Sequence, residues 1–213
     1  HDIWMDYIKP VALRLILLTL VRKSELIEAT WNEIDFENTL WTIPKHRMKA
    51  SKPHNVYLSQ QALDIMVALR TCAGGSKYLL PSRYDADRCM SKATLNRVTH
   101  LIVERAKIAG LPLESFTVHD LRRTGGTLMQ AMGVPLDVID RCQNHKLPGP
   151  KVRRHYLHHD YADEKRAAWN RLGKHLETIL STDASTTGQD TGDDQLREAR
   201  TAAAAGQVLA SAE

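Results

Sequence analysis

Several short segments of this 213-residue chain bring together side chains able to hold an anion, namely guanidinium, ammonium and imidazole groups, with a phenol close by in sequence. In HDLRRT, His119 and Arg122 stand three residues apart, and on a helix both project from one face. Arg22 comes immediately before a short helix in LLTLVRKSELIEATWNEID. Lys49 sits in the basic loop RMKASKPH, where Lys52 is a rival ammonium. Downstream, QNH places His145 ahead of RRHYLHHDY, which holds Tyr156, Tyr161 and the clustered His155, His158 and His159. Taken singly, each has an ordinary reading. HxxR is a solvated basic turn, Arg22 and Lys49 are loop residues, and a tyrosine among histidines is a packed amphipathic side chain. The histidine cluster follows no recognised ligand spacing, so no metal is expected and a phosphate-facing or solvated role fits better.

The order of these pieces carries more than any one of them. RKSEL with the following TWNEIDF, then IPKHRMKASKPHNVYLS, VHDLRRT, NHK and YLHHDYADEKRAAW occur in sequence over roughly Ala12 to Trp169. This succession resembles the tyrosine recombinase (phage integrase) family, most closely the integrases of temperate phages and genomic islands. The resemblance implies a site-specific DNA recombinase that cleaves and rejoins strands through a 3′-phosphotyrosyl intermediate. It makes Tyr156 the nucleophile, eleven residues after His145, with Tyr161 matching the second tyrosine of the pattern. Arg22 and Arg122 become the guanidinium clamp on the non-bridging oxygens. His119 and His145 become phosphate donors, His119 also able to take the tyrosine proton. Lys49 becomes the general acid for the departing 5′ oxygen, and Glu25 a carboxylate that fixes neighbouring groups. The family often has Gly two residues before the first arginine, where it relaxes the turn; here that position is Leu20. Double-stranded DNA attachment sites are the implied substrate, with self-assembly into a tetramer on DNA, an accessory DNA-bending protein as a further partner, and no cofactor. A non-catalytic integrase-derived DNA-binding module and a type IB topoisomerase are the alternatives. The complete Arg, Lys, His, Arg, His, Tyr set argues against the first, and spacing and size against the second.

The elements that must position these residues can be read from periodicity. Trp4 to Leu20 predicts a helix, and its apolar run Val11–Val21, broken by Arg14, is too short for a bilayer and reads as a core helix. Ser24 predicts the cap of a short second helix. Trp31–Asp35, Leu40–Ile43 and Asn55–Leu58 alternate and predict a three-stranded antiparallel meander. Helices follow from Ser59 to the Gly74-Gly75 stop, Ser91 to Ala109, His119 to Met132, Pro135 to Cys142, and Tyr161 to about Leu180 with Asp160 as cap. The fold class expected is therefore α+β, mainly helical, with the small sheet in the N-terminal third. Residues 1–181 are expected to form the catalytic domain, and 182–213, rich in Ser, Thr, Gly, Asp and Ala, a disordered tail.

Charge and composition agree with a DNA-binding body. Six acidic and two basic residues from Thr182 onward leave that segment at −4 and the rest of the chain at +8. Three scattered cysteines, Cys72, Cys89 and Cys142, form no metal or disulfide pattern; each is expected to be small and at least half-buried, in a cytoplasmic protein acting on bacterial DNA. No signal peptide or membrane span is expected. The chain opens on His1 rather than Met, which suggests a fragment with a part missing upstream.

Overall fold

The apolar run in the first twenty residues becomes the central helix of the computed structural model, which describes residues 2–48, 52–145 and 159–186. Helix α1 spans Asp2–Thr19, with Pro10 inside it. Ile8, Ala12, Leu15 and Ile16, at helical spacing, are at most 1% exposed. At about 1.5–3 kcal/mol for each large apolar side chain buried, this face is a main source of stability.

A five-residue helix α2, Lys23–Ile27, follows. Its cap is Arg22, not Ser24: the Arg22 N–H donates to the Glu25 carboxylate at 2.7 Å. A carboxylate at the third helical position accepts from the N–H of the cap residue, the complementary half of a capping box.

The meander is β1 Ile34–Asp35, β2 Leu40–Ile43 and β3 His54–Tyr57, antiparallel in the order β1-β2-β3. The first strand is shorter than expected, because Trp31–Glu33 winds into a 3-10 turn. Trp41 pairs with both Ile34 and Val56, and Ile43 with His54, so these residues share the buried face. A second 3-10 turn, Lys45–Arg47, opens the β2–β3 connection.

Helix α3, Gln60–Cys72, begins at Ser59, whose hydroxyl accepts from the Ala62 N–H at 3.4 Å. Helix α4, Lys92–Ile108, begins at Ser91. Then come α5, Val118–Ala131, and α6, Leu136–Cys142. Helix α7, Ala162–Thr186, opens at Asp160, which accepts from the Ala162 N–H at 3.0 Å. It runs past Leu180 to Thr186, the last residue described.

Helix α7 closes the core against α1, α3, α5, α6 and β3. Its Trp169 is 1% exposed and donates from Nε1 to the Thr19 carbonyl at 3.2 Å. Cys142 is buried and Cys89 half-buried as expected, whereas Cys72, at the end of α3, is exposed. No helix among the described residues is long and apolar enough to cross a membrane.

Candidate active site

The site is built where α1, α2 and α5 meet. The chain leaves α1 through Leu20, whose φ of 59° lies in the left-handed region that favours glycine. Leu20 adopts it because its side chain is fully buried. Packing thus compensates the backbone cost of the departure from Gly noted in the sequence. The turn delivers Arg22 to the start of α2. There Arg22 Nη1 pairs with Glu25 Oε1 at 2.7 Å, and Nη2 donates to the Asn144 carbonyl at 3.3 Å. Glu25 is buried while Arg22 stays 40% exposed, so the carboxylate fixes the guanidinium from behind.

Helix α5 carries the second cation. Asp120 accepts from the Thr117 N–H at 2.9 Å and from its hydroxyl at 2.8 Å, stapling the first turn. These bonds hold the Asp120 carboxyl below the usual carboxylate range. His119 and Arg122 project from the same side of the helix, as the spacing implied, but to different depths. His119 is exposed, whereas Arg122 is 2% exposed. Arg122 donates from Nη1 to the Leu20 carbonyl and from Nη2 to the Gln143 carbonyl. Burial, reinforced by the neighbouring Arg22 charge and opposed by Glu25, pushes the Arg122 guanidinium down to about 10. It therefore remains a cation at neutral pH, with two of a guanidinium's five donors committed to these carbonyls.

Arg22, His119 and Arg122 line one cleft of about 340 Å³, together with Lys23, Asn96 and Thr117. Lys23 donates to Asn96 Oδ1 at 2.9 Å across the mouth. His145 follows α6 and is exposed, its Nδ1 3.1 Å from Asp140 Oδ1. It adjoins Asn144, the residue whose carbonyl meets Arg22. Lys49 and Tyr156 lie outside the described residues, as do His155 and His158. Of their rivals, Lys52 is exposed. Tyr161 is half-buried with φ 57°, and the Arg141 guanidinium sits 3.8 Å from its ring centroid. His159 is bound to Glu164 at 2.6 Å.

Three residues that the motifs did not single out are built into this site. Gln143 is buried and donates from Nε2 to the Arg122 carbonyl at 3.0 Å, so Arg122 and Gln143 bond each other reciprocally. Arg47 joins the Glu33 carboxylate to the Glu25 carbonyl. His54 is buried on the inner face of β3, where burial outweighs the pull of Glu25 and pushes its pKa down to about 4. The strand expected at Asn55–Leu58 did not include His54, so no signal in the sequence singled it out.

The fold matches solved tyrosine recombinases and integrases. The integrase of mycobacterium phage Brujita aligns with a TM-score of 0.56 at 14% identity, over 77% of this chain and 52% of that one. The XerA recombinase aligns at 0.51 and 19% identity, over 68% and 54%. The Tn1549 transposon integrase, solved in complex with circular intermediate DNA, aligns at 0.55 and 15% identity, over 78% and 58%. The fold is thus that of the tyrosine recombinase catalytic domains. The chain belongs to the phage integrase family, whose model matches residues 5–163. Prophage integrase IntA of Escherichia coli K12 is 35% identical over 150 residues, covering 70% of this chain and 34% of the relative. The integrase of Enterobacteria phage P4 is 31% identical over 172 residues, covering 73% and 37%. The chain therefore spans little more than a third of the length of these relatives.

Proposed function

We propose that this chain is the catalytic domain of a site-specific DNA recombinase that cleaves and rejoins strands through Tyr156. The observation that carries the reading is the convergence of Arg22, His119 and Arg122 on one cleft, from segments about a hundred residues apart in sequence. Two guanidiniums, each fastened from behind, suit an anion that gains charge during reaction, because their donors need no reorganisation.

In this mechanism the Tyr156 oxygen attacks the scissile phosphorus and the bond to the 5′ oxygen breaks. The phenol proton passes to His119, and Lys49 gives a proton to the departing oxygen. The products are a 3′-phosphotyrosyl ester and a free 5′ hydroxyl. Attack by the 5′ hydroxyl of another strand reverses the chemistry and restores Tyr156, so the ester conserves the bond energy. Arg22 and Arg122 hold the non-bridging oxygens, His145 donates to them, and Glu25 keeps Arg22 oriented. The substrate is double-stranded DNA at attachment sites, acted on in the cytoplasm by four copies of the protein with an accessory DNA-bending partner. The basic body and the DNA complex of the Tn1549 relative support this substrate.

Trapping of the covalent adduct tests the reading. Tyr156→Phe removes the adduct and leaves DNA binding nearly intact, since one hydroxyl contributes little to a contact made mainly to phosphates. Tyr161→Phe keeps the adduct. An adduct that survives Tyr156→Phe and vanishes with Tyr161→Phe would move the nucleophile by five residues.

A further inference from the structure

We propose that Arg47, anchored by Glu33, is a positioning residue that sets the Arg22 guanidinium in the cleft; the proposal rests on the reading of Arg22 as a phosphate clamp. Helix α2 has five residues, too few to hold its own shape. Its placement must come from outside. Behind the cleft, the buried Glu25 carboxylate binds the Arg22 N–H and guanidinium, both at 2.7 Å. The Glu25 main chain is held by Arg47, whose Nη2 donates to the Glu25 carbonyl. That carbonyl is among the last four of the helix, which have no partner within it.

Arg47 is itself fixed. Its Nη1 donates to the Glu33 carboxylate, at 2.6 Å to Oε2, and the same oxygen accepts from Trp41 Nε1 at 2.9 Å. Trp41 is fully buried in the middle strand. The Arg47 and Glu33 side chains are 10% and 8% exposed, so water competes little for these bonds. A continuous chain of contacts thus runs from the sheet to the cleft: Trp41, Glu33, Arg47, Glu25, Arg22. Arg22 is the exposed end of that chain, a long side chain whose position depends on where Glu25 stands. A guanidinium can serve a carboxylate and a carbonyl at once through its fork; a lysine ammonium in its place lacks that geometry.

The test separates positioning from mere stability by changing the substrate. Single-turnover adduct formation is measured on a synthetic duplex carrying the cleaved sequence, with the scissile group as phosphate, as methylphosphonate, or as bridging 5′ phosphorothiolate. Methylphosphonate has one non-bridging oxygen replaced by a neutral methyl, so the demand on the clamp falls. Arg47→Lys is expected to be slower than wild type on phosphate by on the order of 10²-fold, the scale of a misplacement of about 1 Å. On methylphosphonate its deficit should shrink to a few-fold, with no comparable recovery on the sulfur substrate. Breaking a buried pair can unfold a protein, so Glu33→Met with Arg47→Met is run beside it, removing the link without leaving an unpaired charge. The same substrate pattern is expected of the pair.

An equal deficit on all three substrates, or none on phosphate, overturns the proposal. Recovery only on sulfur overturns it too, because Arg47 would then act on departure of the 5′ oxygen. Arg22→Ala distinguishes the levels of failure. If methylphosphonate does not rescue it, the clamp reading falls together with this one. If Arg22→Ala is rescued and the Arg47 and paired variants are not, only the positioning role falls.

Discussion

The guanidinium of Arg122 donates to the main-chain carbonyl of Leu20, 102 positions earlier in the chain, and Leu20 presents that carbonyl from a left-handed turn with φ 59°. The unusual backbone and the buried cation therefore stabilise each other. Leu20→Gly would relieve about 1–2 kcal/mol of backbone cost. It would also remove a fully buried side chain, whose truncation typically costs about 2–5 kcal/mol. The expected result is a net loss of about 2 kcal/mol, within a range of roughly 0–4, in chemical denaturation. A more stable Leu20→Gly protein would show that strain outweighs packing.

The same turn leaves no room on α5. A Cβ on Gly125 would stand 2.3 Å from Leu20 Cδ2 and 2.9 Å from the Leu17 carbonyl oxygen. A Cβ on Gly126 would meet the Gln143 side chain, its Nε2 at 2.6 Å. Side chains can yield where backbone cannot, so Gly125→Ala should lower stability more than Gly126→Ala. Overpacking of this kind costs about 1–3 kcal/mol, with Gly125→Ala at or above the upper end. Equal melting temperatures for the two variants would contradict the packing described between α1 and α5.

His54 should make stability depend on pH. In the folded protein its pKa is pushed down to about 4 by burial, with Lys165 and Arg122 adding to the effect and Glu25 and a hydrogen bond to the Cys142 backbone opposing it. Unfolded, it titrates near 6.5. Between these values the unfolded chain binds the extra proton. Stability tied to His54 is thus fully present above about 6.5 and is lost as pH falls toward about 4. The loss is on the order of 3 kcal/mol. Denaturation of wild type and His54→Phe at pH 7.5 and 4.5 isolates it, the variant being expected to lose less over that interval. Parallel pH profiles would mean that His54 is already charged in the folded state.

Lys49 is tested by the leaving group. A bridging 5′ sulfur departs without a proton, so Lys49→Ala should be severely slowed on ordinary DNA and largely rescued on phosphorothiolate DNA. Positioned acid catalysis contributes about 10²–10⁴-fold, which sets the expected deficit. Lys52→Ala is the control, equal in charge and three residues away. Rescue of Lys52→Ala with Lys49→Ala remaining inactive would assign the acid to Lys52.

Adduct formation is also expected to persist in excess chelator. The clamp supplies cationic side chains where a magnesium nuclease would place carboxylates. Loss of the adduct in EDTA with recovery on added magnesium would refute a clamp made of Arg22 and Arg122 alone.

Local chemistry was legible in the sequence wherever a residue acts on its own neighbourhood. Ser59 and Ser91 start helices because a hydroxyl reaches N–H groups within the first turn. The alternation of β2 and β3 identified the sheet, and the three-residue spacing of His119 and Arg122 set them on one side of α5. The ordered motifs also sufficed to indicate the family. Depth and long-range bonding were decided only by the tertiary structure. HxxR does not reveal that Arg122 is buried while His119 is exposed, because depth depends on what α1 and α6 bring over the helix. Ser24 looked like a cap, yet the Glu25 carboxylate takes the Arg22 N–H while Arg47, from within the β2–β3 connection, holds the Glu25 carbonyl. Such bonds join residues 21 to 102 positions apart for Arg122, and 14 and 22 for Arg47. Hydrophobic periodicity repeats within a few residues, so it carries the local elements and leaves these pairings to the packing of the whole chain.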